Sequence, residues 1–125
     1  MKIVVADASV GRAPSRVRFS CAMGGCWAEW VGACPAVGEE KYVELVTSEP
    51  AILGKSLVES GEHPGIRAEG DRCAIVGEVV DFEDGVVRID FGCGTLEVEV
   101  EGSTPTTGAR YKLHVRDLKL YDANY

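Results

Sequence analysis

Five cysteines are the residues best suited to chemistry in this chain of 125 residues: Cys21, Cys26, Cys34, Cys73 and Cys93. Four residues separate Cys21 from Cys26, and seven separate Cys26 from Cys34. With His63 or a further cysteine, such thiolates could hold zinc tetrahedrally. Structural zinc sites, however, pair their ligands closely and twice over, and only Cys21 and Cys26 approach that spacing. Cysteine is also among the most often buried small side chains, so the thiols read as core or incidental residues and no metal is expected. A thiol nucleophile would need a histidine base. His63 falls in a loop, and His114 stands among Arg110, Lys112 and Arg116 on an outward row. No Gly-x-Ser-x-Gly elbow, His-Glu-x-x-His pair or phosphate-cradling glycine loop with lysine occurs. The chain reads as a protein without catalytic residues or cofactor.

The carboxylates offer a second kind of site. Asp81, Glu83, Asp84 and Asp90 gather around one hairpin end but lack the regular spacing of a calcium loop. Glu97, Glu99 and Glu101 form a row on one face of Thr95–Glu101, whose Leu96, Val98 and Val100 face the other way. In Ala109–Arg116 the apolar row is Tyr111, Leu113 and Val115, and the polar row is Arg110, Lys112, His114 and Arg116. Placed antiparallel, these strands set the glutamate row against the basic row, each opposed pair contributing about 0.2–1 kcal/mol. The same basic row, with an exposed aromatic, is the alternative surface for nucleic acid.

These residues must be positioned by strands, because period-2 alternation dominates the chain. Met1–Ala6 reads as a short apolar strand at the centre of a sheet. Arg16–Ala22 and Cys26–Ala33 form a hairpin around Met23-Gly24-Gly25. That hairpin carries Trp27 and Trp30 on opposite faces, one for the core and one for solvent or a partner. Lys41–Thr47 is a further strand. From Ala74 to Tyr121 a meander is expected, with Asp84-Gly85 as a tight hairpin turn and a bend near Arg116-Asp117. Ser48-Glu49-Pro50 is a helix-start signature, and Ile52, Leu53 and Leu57 mark one helical face up to Gly61. This predicts a packed helix over 50–60, and a loop from Glu62 to Asp71. No internal repeat is evident, so the expected architecture is one α+β domain spanning residues 1–125. It is mostly β, with a twisted antiparallel meander curling into a barrel or half-barrel.

Charge narrows the function classes. The formal net charge is −7, with seven basic and twelve acidic side chains after residue 62. That balance disfavours nucleic acid and suits a basic protein partner. At 46% hydrophobic residues the chain is neither disordered nor membrane-embedded. Lys2 is followed by only four apolar residues before Asp7, too few for a signal-peptide core, so a cytoplasmic location with reduced thiols is expected.

The C-terminal half, with its curled meander and late bend, resembles a small oligonucleotide-binding-type barrel. It departs from that family at Gly102–Gly108, which leaves no room for the helix usual there, and no site residue follows from the likeness. The leading expectation is a small acidic binding module of the immunity or antitoxin type that blocks a basic partner such as a nuclease. Its candidate contacts are Trp27, Trp30, Asp81, Glu83, Asp84, Glu97, Glu99 and Glu101. The alternatives are single-stranded nucleic acid on Arg110, Lys112 and Arg116, and a small molecule inside the barrel.

Overall fold

The computed structural model describes residues 1–9 and 15–123. Strands make up 64% of the described residues. The first half runs through β1 (Lys2–Ser9), β2 (Ser15–Cys21), β3 (Gly24–Val31), β4 (Glu40–Val46), β5 (Ala51–Ile52) and β6 (Leu57–Glu59). The second runs through β7 (Gly65–Glu69), β8 (Arg72–Glu83), β9 (Val86–Asp90), β10 (Thr95–Glu101), β11 (Arg110–Val115) and β12 (Lys119–Asp122).

Strand β1 is central, with β2 and β4 antiparallel on its two sides, and β3 follows β2 in a hairpin. The last strand, β12, lies parallel to β3 and antiparallel to β4. This closes a five-stranded barrel. Its interior is filled by Ile3, Val5, Val17, Phe19, Ala28, Trp30 and Leu120, all buried.

The second half repeats the plan. Strand β8 pairs antiparallel with β9 and β11, and β9 with β10. The segment 51–59 spans the remaining gap, with β5 parallel to β10 and β6 antiparallel to β11. Each half therefore supplies four strands to one ring and sends its fifth to the other. Strand β7 joins the rings, pairing with β8 and, over two residues, with β3.

The internal repeat, which the sequence reading does not detect, is a correction carried by backbone detail. Gly32, Pro35 and Gly38 recur as Gly102, Pro105 and Gly108 in the connections β3–β4 and β10–β11. The Val5 N–H donates to Glu39 O at 3.0 Å and the Val79 N–H to Ala109 O at 3.0 Å. Gly38 N–H donates to Val5 O, and Gly108 N–H to Val79 O, at 2.7 Å in both cases. The pairing register shifts between Val5 and Asp7 in one half and between Val79 and Asp81 in the other. Only turn residues and inward alternation are shared, which is why no repeat stands out by identity.

The helix expected over 50–60 is absent; no helix occurs among the described residues. Its start signature is consumed by another partner, because the Ser48 and Glu49 N–H groups donate to the Asp117 carboxylate at 2.9 and 3.1 Å. Beyond Pro50 the chain pairs with β10, turns at Gly54 (φ +88°), and pairs again with β11. A helix there would leave two sheet edges unpaired. Two further expectations change. Gly65–Glu69 is a strand rather than loop, with Ile66 buried. Strands β10 and β11 do not pair, because the Gly102–Gly108 connection carries β11 across to β8. No helix among the described residues is long and apolar enough to cross a membrane.

Candidate functional site

Pairing of β2 with β3 sets the first feature. Val17 and Phe19 point inward, while Arg16 and Arg18 point outward, opposite Glu29 and Trp27. The two tryptophans separate as alternation requires: Trp30 is 4% exposed and Trp27 is 37% exposed. Glycines then let the other barrel approach. A Cβ on Gly24 would lie 2.0 Å from Ile66 O, so only a residue without a side chain admits β7 beside β3.

That approach brings the β7–β8 turn against the β2–β3 hairpin. Between them runs a groove of about 340 Å³, with Arg16 and Trp27 on the first-barrel side. Gly70, Asp71, Arg72 and Arg116 bound the other side, and Cys73, Val115 and Leu118 lie at its floor. Among the described residues no ion pair engages Arg16, Arg72 or Arg116. Three arginines and one acidic residue, Asp71, thus line the groove around a partly exposed indole.

The basic row expected on β11 is divided. Lys112 Nζ lies 3.0 Å from Glu62 Oε2 and 2.8 Å from Glu69 Oε2. Arg67 pairs with the same two glutamates, and His114 Nε2 lies 3.3 Å from Glu69 Oε1. Arg110 donates to the Glu62 backbone oxygen at 2.9 Å. Hydrogen bonds from Lys112 and then Arg67 hold the Glu69 carboxyl down at about 2. Lys112 thus belongs to a neutralised surface network, Arg110 is held by a backbone carbonyl, and Arg116 alone of the three reaches the groove.

The acidic residues gather on the second barrel. Asp81, Glu83, Asp84, Val86, Arg88 and Glu97 line a shallow depression. Asp84 (φ +53°) and Gly85 (φ +77°) form the tight hairpin turn that Asp-Gly predicts. Arg88 pairs with Glu97 at 2.9 Å. Glu99 and Glu101 have no ion pair among those described, since their expected basic partners lie elsewhere. By the repeat, Trp27 corresponds to Glu97 and Arg16 to Val86, so equivalent faces of the two barrels differ in charge and aromaticity.

Among the described residues, no group of three or more His, Cys, Asp or Glu side chains is arranged to hold a metal ion. Cys34 donates weakly to Pro35 O, while Cys21 lies against Cys93. The sequence reading finds Trp27 and Arg116 but misses Arg16 and Arg72 as site residues. Arg16 was within reach, because the hairpin register puts it on the same face as Trp27. Arg72 was not, because its place depends on how the barrels meet. Compared with known proteins, the chain matches no family model, no curated protein and no solved structure.

Proposed function

We propose that this is a non-catalytic binding protein whose groove takes single-stranded nucleic acid. The observation that carries the reading is Trp27, partly exposed between Arg16, Arg72 and Arg116, none of them ion-paired among the described residues. A base stacked on an aromatic side chain contributes about 1–3 kcal/mol, and guanidinium groups take the phosphates bidentately. The first barrel's order, with a single parallel joint between β3 and β12, fits the five-stranded Greek-key closure of the oligonucleotide-binding type. The net charge opposes binding at long range. At physiological salt the Debye length is about 8 Å, so local groups decide the contact. We take the chain as one folding unit, since neither ring is complete without a strand from the other half, and its thiols suit a reducing compartment.

The test is tryptophan fluorescence during titration with oligothymidine at low salt. Quenching is expected, and it is lost in Trp27→Ala. For three phosphate contacts on a single strand, log K should fall with log salt at a slope of about −2. No quenching and no retention at low salt would end this reading.

A second reading, a basic protein docking on the acidic barrel, is favoured by Glu99 and Glu101 standing without the cations expected opposite them. Here Glu99→Lys with Glu101→Lys should slow association with the partner and flatten its salt dependence. Unchanged rates would remove it.

A further inference from the structure

The thiols, set aside by the sequence reading, are brought together by the junction of the two barrels. Cys21 ends β2, and Cys93 lies in the turn between β9 and β10; their Sγ atoms are 3.0 Å apart. Both are partly exposed. The hairpin tips that carry them interlock: Met23 packs on Gly92, where an added Cβ would lie 2.8 Å from Met23 Cε. The Met1 sulfur sits 3.8 Å from the Cys93 thiol. A second thiol pair, Cys26 and Cys73, also spans the barrels, but both members are buried, and the neighbouring Cys26 thiol and burial push the Cys73 thiol far up. A disulfide requires two sulfurs within reach and an entry path for the oxidant. Cys21 and Cys93 meet both conditions.

We propose that Cys21 and Cys93 are a redox modification site, which a small-molecule disulfide converts into a cross-link between the two barrels. This is independent of the ligand reading above. In the first step the Cys21 thiolate attacks one sulfur of the oxidant. The oxidant's S–S bond breaks, a mixed disulfide forms on Cys21, and one thiolate leaves. In the second, the Cys93 thiolate attacks the Cys21 sulfur and displaces the remaining half of the oxidant. The two leaving thiolates take up the two cysteine protons, so one small disulfide is reduced to two thiols and one protein disulfide is made. Burial, then the Cys21 thiol, raises the Cys93 thiol to about 11. Cross-linking therefore accelerates as pH rises and more of Cys93 is thiolate.

The experiment treats the whole protein with oxidised glutathione and follows intact mass, with a digest run without reductant. The expected product has lost two hydrogen masses and joins the Cys21 peptide to the Cys93 peptide, and dithiothreitol reverses it. Cys93→Ser should instead stop at a glutathione adduct on Cys21, while Cys34→Ser should behave as wild type. Accumulation of the adduct on wild type without a cross-link would overturn the proposal. So would a cross-link that persists in Cys93→Ser.

Discussion

Asp117 accepts a hydrogen bond from the Ser48 N–H at 2.9 Å, and these two residues mark the two places where the chain passes from one barrel to the other. Thr47 and the Ser48 hydroxyl donate to the same carboxylate. The crossing strands are thus pinned together at a single side chain.

Asp117→Ala is expected to cost about 1–3 kcal/mol, because it strips the acceptor from several donors at once. Asp117→Asn, which keeps the shape, should recover part of the loss. Urea unfolding curves would measure both.

Burial pushes the Asp117 carboxyl up, but the Ser48 and Thr47 hydrogen bonds outweigh it and leave the group below its ordinary value of 3.8. A group whose folded value is depressed adds stability above its unfolded value and loses it as pH falls. Asp117 should therefore make the protein less stable as pH drops below about 4. Asp117→Asn should flatten that part of the curve of stability against pH.

The Glu69 carboxyl, held at about 2 against an ordinary 4.5, behaves with the same sign. Its contribution is full above 4.5 and fades toward 2. The group is partly exposed, so solvent keeps the effect small. Side-chain carbonyl NMR should show its titration moving back toward 4.5 in Lys112→Ala. A value unchanged from wild type would mean that the network of Glu62, Arg67, Glu69 and Lys112 is loose in solution.

Trp30 and Trp27 should separate stability from binding. Trp30→Ala empties a filled barrel and is expected to cost about 3–5 kcal/mol. Trp27→Ala should leave the unfolding midpoint nearly unchanged while oligothymidine binding is lost. Thermal melts beside fluorescence titrations decide this.

Neither half should fold alone. A fragment of residues 1–62 lacks β12, and one of residues 63–125 lacks β5 and β6. Each exposes two unpaired sheet edges. Circular dichroism should show little strand structure in either fragment, with the sheet signal returning when the two are mixed.

Strands were legible where alternation met a turn signal. Arg16–Ala22, Lys41–Thr47 and the Asp84-Gly85 hairpin all lie close to where the sequence places them. Local pattern fails where a distant partner decides. Ser48-Glu49-Pro50 has the local chemistry of a helix start, yet Asp117, far along the chain, claims its donors. Glu97, Glu99 and Glu101 match the charges of Arg110, Lys112 and Arg116, but complementary rows do not specify adjacency when a longer connection can carry a strand past its neighbour. The site follows the same rule. Trp27 is readable from alternation, whereas Arg72 reaches it only through contact between barrels.

The fifth-strand arrangement has a consequence for symmetry. A polypeptide carrying a single copy of the repeated plan could not close its own ring, and would complete it only by trading a strand with a twin. The product would be a domain-swapped dimer with a twofold axis. This chain has the form of such a dimer linked covalently, with its two equivalent barrels differing in charge. The segment 60–64 belongs to no strand of either ring, and a circular permutant opened there, with its present ends joined, should keep both rings.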